Sequence, residues 1–289
     1  MQLPALDALR LEMIMHRDAH FSGSSEMMLD YYRQGGVGTM PDFSIEMVEE
    51  MHQLEKERDL SELLPEAAQA EVRDAKERYA ALKSVYDKEE ELPRLLSDLI
   101  LTEEEEPTGE KEALVACGTR ALEPLFDLLR SETFYNPLYP GYGRTPLFAA
   151  DVVAHIGDAK AIPHLFEALG HDNFFTDEAI ITALATFGEE AKNFLIDRLT
   201  AQPLSRDNDR AAIALGHFEG DEEVAKHAFD LLKDRDVRTR PSLAPYLIFA
   251  CAGLPRELRP KFLAFAKSGV MPASLQIDIN AICKTFNSK

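Results

Sequence analysis

The fold is decided by three successive segments: AADVVAHIGDAKAIPHLFEALG (residues 149–170), IITALATFGEEAKNFLIDRL (180–199) and RAAIALGHFEGDEEVAKHAFDLLKD (210–234). In each segment an apolar helical pattern reaches a glycine, and a second apolar helical pattern follows. A pair of short amphipathic helices cannot bury its apolar face alone, so successive pairs must stack on one another. The segments therefore predict an all-α fold built from helical repeats.

The repeat extends in both directions when the second helices are aligned. Residues 121–129 match residues 161–169, and a degraded fifth copy spans 258–266. An acidic residue holds the same column in four copies, at intervals of 40, 30 and 33 residues: Asp127, Glu167, Asp197 and Asp230. Two helices and two turns need roughly 30–45 residues. We expect an α-solenoid (α-α superhelix) of about five units over residues 111–289.

Two short runs carry a resemblance to a known family. Residues 156–163 read IGDAKAIP and residues 234–238 read DRDVR. They resemble HEAT repeats of the kind found in phycobilisome-lyase-type proteins, over about residues 110–285. The resemblance implies a HEAT-like solenoid that acts as a scaffold for other proteins. It also implies an alternative, an enzyme or accessory subunit that attaches bilins to cysteines.

The chain before the repeats has a different pattern. Residues 1–102 contain several helical stretches and are expected to form an N-terminal helical region. The first stretch covers residues 1–20, with apolar residues at three- and four-residue steps. Residues 103–110 (EEEEPTGE) combine acids with a Pro/Gly ending, which is typical of a solvated break. The predicted organisation is therefore 1–102, an acidic break at 103–110, and a repeat domain at 111–289.

The composition of the chain limits the kinds of partner that the protein is expected to bind. The 289 residues are 45% hydrophobic and 28% charged, with a net charge of −20 and a pI of about 4.8. Such a chain lacks the basic surface that nucleic acid or an anionic membrane requires, so the expected partner is another protein, such as a basic peptide. The chain contains no apolar run long enough for a membrane span and begins with no secretory pattern. A cytoplasmic location is expected.

No residue pattern predicts catalysis, a cofactor or a metal site. Nucleophile-elbow, H-E-x-x-H, Walker and dinucleotide motifs are absent from the sequence. The three cysteines are isolated and lack C-x-x-C spacing, which favours reduced thiols. On a strand His16, Asp18 and His20 would share one face and would suit a metal ion, but on a helix only His16 and His20 share a face. We interpret this segment as a polar helix end, and added zinc, nickel or ferrous iron should not stabilise the protein.

The acidic column is the first candidate partner-binding surface. Each of Asp127, Glu167, Asp197 and Asp230 lies two residues after an apolar core position, about 200° away round the helix. We expect an exposed row that steers a basic peptide. The alternative is that these acids only solvate a helix face.

The second candidate is an insertion between the first two repeats, residues 134–146. It carries Tyr135, Tyr139, Tyr142 and Arg144, residue types that protein interfaces concentrate. Its three prolines limit its freedom before binding. The alternative is a clasp, in which the tyrosines hold the loop against the first two repeats.

Overall fold

The computed structural model describes residues 7–171 and 173–287, and in these ranges the chain is helical with no β-strand. The all-α prediction is confirmed, and the helices pack in a repeat-like arrangement consistent with an α-solenoid. Residues 1–6 of the expected first helix lie outside the described residues.

Five helices precede the repeats: α1 (Ala8–His20), α2 (Ser25–Gln34), α3 (Ile45–Glu55), α4 (Glu66–Ser84) and α5 (Glu91–Leu101). Short polar side chains begin three of them. Asp7 accepts a hydrogen bond from the Arg10 backbone, and Ser24 and Ser44 do the same for α2 and α3.

The repeat region consists of five pairs of short helices, with the one-turn helix α14 between the fourth and fifth pairs and a single final helix after them: α6 (Thr108–Ala116), α7 (Leu122–Arg130), α8 (Thr145–Ile156), α9 (Ala161–Glu167), α10 (Phe174–Thr186), α11 (Glu189–Thr200), α12 (Arg206–Ala214), α13 (Glu222–Leu231), α14 (Arg235–Arg238), α15 (Ala244–Ala250), α16 (Arg259–Lys267) and α17 (Gln276–Asn287). The predicted second helices correspond to α7, α9, α11, α13 and α16.

Glycines separate the two helices of each pair for two physical reasons. Gly118, Gly157, Gly188 and Gly220 have positive φ angles, as expected for the left-handed end of a helix. Gly253 does not. A Cβ atom there would lie 2.9 Å from the Gly220 carbonyl carbon, so close backbone packing requires this glycine.

The chain divides into two compact units, residues 1–156 and 157–289. The acidic segment 103–110 lies inside the first unit, where α5 before it packs on α6 and α8 after it. The sequence predicts a boundary at 103–110 between an N-terminal helical region and a repeat domain. This division stays a prediction.

Each unit has an apolar core. In the first, Met13 and Met28 pack with Val48 and Met51, which joins α1, α2 and α3. In the second, buried side chains of the second helices contact one another. Leu165, Phe166 and Leu169 are buried, and the Phe166 ring meets Phe194 of the next repeat edge-on at a centroid distance of 5.4 Å.

Candidate functional site

The acidic column is exposed in every copy. Asp127, Glu167, Asp197 and Asp230 are exposed, whereas the apolar residues before them in α7, α9, α11 and α13 are buried. Two of the four have a cation three residues further along the chain, on the same helix for Asp127 and in the turn after α13 for Asp230. Asp127 pairs with Arg130 at 3.0 Å, and Asp230 pairs with Lys233 at 2.5 Å.

These local pairs reduce the negative potential of the column without removing it. Surface pairs of this kind are loose and screened by salt, so their cations can move to a partner's carboxylates or solvent. Each of the four acidic side chains is therefore exposed, as the helical phase predicts. Their role in binding stays a prediction.

The insertion lies against the rest of the first unit. Leu138, Pro140 and the two glycines of the loop are buried. The Tyr135 hydroxyl donates to the Leu129 carbonyl at 2.8 Å, which satisfies an orphan carbonyl near the end of α7. The Arg78 guanidinium of α4 lies over the Tyr139 ring at 5.4 Å.

Tyr142 and Arg144 contact the acidic segment. The Tyr142 hydroxyl donates to Glu103 at 3.1 Å, and Arg144 donates to the carbonyls of Glu104 and Glu105 at 2.8 and 2.7 Å. The acidic segment is exposed, yet it is not simply a solvated break as expected. It anchors the end of the insertion.

The His16–Asp18–His20 segment differs from the polar helix end that the sequence favoured. It lies at the end of α1, but His16, Arg17 and Asp18 are all at most 3% exposed. Arg17 and Asp18 form a buried pair at 2.5 Å, and Arg17 also reaches Glu55 at 3.2 Å. Asp18 is therefore engaged with Arg17, away from the histidine pair.

His16 and His20 share one face of α1, as the helical spacing predicts, with ring centroids 4.5 Å apart. Their rings belong to a cluster that also contains Tyr79 of α4 and Tyr142 of the insertion. The Tyr142 ring lies 4.6 Å from His20, and the Tyr79 ring meets His20 edge-on at 5.6 Å. We call these four residues the histidine–tyrosine cluster.

The tautomer of His20 follows from its partners. Its Nε2 lies 3.0 Å from the Pro137 carbonyl, which can only accept, so Nε2 carries the proton. Its Nδ1 lies 2.7 Å from the Tyr79 hydroxyl and accepts from it. His20 thus links α4 to the insertion through two hydrogen bonds.

Burial keeps the cluster uncharged. Desolvation lowers the pKa of His16 to about 3, with further repulsion from His20, and lowers that of His20 to about 4. Desolvation also raises the pKa of Tyr79 and Tyr142 well above the usual value near 10. At neutral pH both rings are neutral imidazoles and both phenols retain their protons.

The cluster continues to Glu103 through Tyr31 of α2. The Tyr31 hydroxyl accepts from the Gly38 backbone at 2.9 Å and donates to Glu103 at 2.6 Å. Glu103 therefore receives two phenol hydrogen bonds, from Tyr31 and Tyr142. Short charge-assisted bonds of this type are stronger than neutral ones.

Beside the cluster lies an open cleft of about 560 Å³. Its walls come from α1, the segment before α3, the start of α4 and the insertion. The lining residues are Glu12, Met15, His16, Met40, Phe43, Pro65, Ala67, Ala68, Glu71, Asn136, Pro137 and Leu138. A volume of this size is typical of small-molecule sites.

Sequence analysis missed this cluster and its cleft. The spacing of His16 and His20 was a partial indication of the cluster. Two histidines four residues apart on an apolar helix fit a shared buried face as well as a polar helix end. The tyrosine partners come from residues far along the chain, such as Tyr79 and Tyr142. No local pattern connects them.

The described ranges contain no group of three or more His, Cys, Asp or Glu residues placed to hold a metal ion. Within the same ranges, no helix is both long enough and apolar enough to cross a membrane. The three cysteines are free, and burial raises the pKa of the Cys251 thiol.

The comparison with family models finds one match. The family of HEAT repeats matches residues 144–216, which run from α8 through α11 to the turn after α12. The match supports a HEAT-repeat protein, and it covers the first two of the three segments that decided the fold and the beginning of the third. A search of curated proteins finds no match to the chain.

Proposed function

We propose that this protein is a non-enzymatic adaptor that binds another protein through its HEAT-like repeats. HEAT repeats commonly mediate protein–protein interaction, which supports the proposal. The observation that carries it is the acidic column, in which equivalent positions of α7, α9, α11 and α13 each expose a carboxylate. A partner with a basic segment fits the carboxylates of α9, α11 and α13, which belong to one compact unit, and the net charge of −20.

Charge complementarity of this kind acts mainly on the rate of encounter and on partner choice. It weakens as salt rises, because the Debye length is about 8 Å at physiological ionic strength. The proposal therefore predicts captured proteins whose binding falls steeply with salt.

The test compares two variants of equal charge. The column variant carries Asp127→Asn, Asp197→Asn and Asp230→Asn. The control variant carries Glu112→Gln, Glu190→Gln and Glu219→Gln, three exposed acids outside the column. Both lose three negative charges, so they differ only in where the charge is removed.

Affinity capture from the source cell, with identification by mass spectrometry, gives the readout. We expect proteins that the wild type and the control variant retain and that the column variant loses. The salt dependence of capture should be shallower for the column variant. Equal losses in both variants would assign the effect to net charge alone, and unchanged capture in the column variant would reduce the acids to solvation.

A second proposal comes from the resemblance to phycobilisome-lyase-type proteins, namely an enzyme or accessory subunit of the bilin-lyase type. The observation in its favour is the presence of the open cleft. Glu12 and Glu71 in its wall would repel the propionates of a bilin, so we favour the adaptor. Added bilin should leave its absorbance spectrum unchanged when mixed with the purified protein. A saturable spectral shift would support the lyase type.

A further inference from the structure

The cleft beside the histidine–tyrosine cluster has walls of mixed chemistry. Eight of its twelve lining residues are apolar: Met15, Met40, Phe43, Pro65, Ala67, Ala68, Pro137 and Leu138. The cleft lining contains no lysine or arginine, and its charged residues are Glu12 and Glu71. Both carboxylates belong to exposed residues, and neither forms an ion pair with another described residue.

His16 forms part of the same wall. The residue is 3% exposed, and its Nε2 atom is buried without a hydrogen-bond partner among the described protein atoms. A buried polar atom left unpaired is destabilising, so such atoms commonly mark the place of a missing partner. The ring is neutral at pH 7 and does not repel a positive charge.

We propose that this cleft binds a small organic cation, with an ammonium or guanidinium group carried on an apolar body. Glu12 and Glu71 attract the cationic group, and the Phe43 face adds a cation–π contribution. Met15 and Met40 accommodate the apolar body, because the unbranched thioether side chain adapts to irregular shapes. The unpaired Nε2 of His16 offers the ligand a further hydrogen bond.

The proposal does not depend on the adaptor function. The acidic column lies on the repeat helices, whereas the cleft is built from α1, α4 and the insertion. A variant that empties the cleft is not expected to change capture of a protein by the column.

The experiment uses three probes of one shape: 4-phenylbutylamine, 4-phenylbutan-1-ol and 4-phenylbutanoate. Titration calorimetry of the full chain at pH 7 measures their affinities. We expect the amine to bind tighter than the carboxylate by at least about tenfold, with the alcohol between them, since a tenfold ratio needs only about 1.4 kcal/mol of charge preference. Equal affinities, or no binding of the amine, would overturn the proposal.

Paired variants locate the site. Glu12→Gln with Glu71→Gln should remove the preference for the amine over the alcohol. Glu66→Gln with Glu77→Gln removes two exposed acids on α4 that do not line the cleft, and it should leave the preference intact. The cleft is ruled out if the Glu12→Gln, Glu71→Gln variant still prefers the amine over the alcohol. It is also ruled out if this preference falls equally in both double variants.

A second readout avoids any change to the buried ring. Nitrogen chemical shifts of the imidazoles report hydrogen bonding at each ring atom. On addition of the amine, the His16 Nε2 resonance should move, while the exposed His155 should not respond. An unmoved His16 resonance at saturating amine would contradict the assignment of Nε2 to the ligand.

Discussion

The two compact units bury their aromatic residues in different ways. Residues 157–289 hold phenylalanines in apolar contact, as in the pair Phe229–Phe262 with centroids 5.5 Å apart. Residues 1–156 hold histidines and tyrosines whose polar atoms hydrogen-bond one another, as in His20 with Tyr79. The first kind of packing repeats along the chain. The second joins residues that are far apart in sequence, including His20 and Pro137, 117 residues apart.

The difference has an energetic consequence. Apolar packing is non-directional and does not change with pH. A buried polar network is directional, and its stability depends on the protonation state of every member. Stability should therefore respond to cavity-forming substitutions in the second unit and to both substitution and pH in the first.

The largest effect is expected from Phe166→Ala in the second unit. The side chain is 3% exposed and packs edge-on against Phe194, so its removal leaves a cavity between repeats. We expect a loss of about 3–5 kcal/mol in the free energy of unfolding, measured by denaturant titration.

The matched control is Phe174→Ala, since Phe174 is 74% exposed and should change stability by less than about 0.5 kcal/mol. A loss below about 1 kcal/mol at Phe166 would mean that the repeat phase is wrong.

The next effect concerns the insertion in the first unit. Replacing Tyr139, Tyr142 and Arg144 with Ala removes the stack on His20, the bond to Glu103 and the bonds to the acidic segment. We expect the melting temperature to fall by several degrees, because the insertion then loses its attachment to the N-terminal helices.

Recording the melting temperature together with protein capture at low temperature distinguishes a clasp from a partner-binding site. A lower melting temperature with capture retained identifies a clasp. An unchanged melting temperature with capture lost identifies a partner site. Tyr142→Phe is the milder control, which keeps the ring stack and loses only the hydroxyl bond.

Over the range in which it is measured, about pH 7 to pH 5.5, the smallest effect is a pH dependence of the first unit. The pKa values of His16 and His20 are lowered in the folded state, so between about pH 6.5 and pH 4 the unfolded chain binds protons that the folded one excludes. Stability should fall as the pH drops through this window, by up to about 1 kcal/mol per pH unit for each histidine.

Near-UV circular dichroism isolates this unit, because seven of the eight tyrosines precede residue 157 and the chain has no tryptophan. Between pH 7 and 5.5, His20→Gln should reduce the slope of stability against pH, whereas His155→Gln at an exposed position should not. Equal slopes in all three proteins would show that the cluster is not the pH-sensitive element.

Much of the fold could be predicted from periodicity. The five second helices and the burial of Leu165, Phe166 and Leu169 followed from spacing alone, because each repeat imposes the same apolar phase. The exposure of the acidic column followed from the same phase. Gly253 shows the limit of such arguments, since its role is close packing against Gly220 rather than a left-handed turn.

The candidate site could not be predicted in this way. The composition of the 134–146 loop indicated that its tyrosines matter, and the sequence left open whether they bind a partner or clasp the repeats. In the structure Tyr135 contacts α7 of the first repeat, as the clasp hypothesis requires. Tyr139 and Tyr142 instead contact α4, α1 and the acidic segment, which lie outside the repeats that the hypothesis named. Their contribution to partner binding stays a prediction.

The sequence by itself determined the helical repeat, its phase and the acidic character of its surface, because these depend on local spacing and composition. Only the tertiary structure decided that His16 is buried and His20 half-buried, that both are neutral, and that they meet Tyr79 and Tyr142 beside a cleft. The physical reason is that a hydrogen-bonded cluster is specified by distances between residues from different elements. Such distances leave no period in the chain and appear only when the helices have packed.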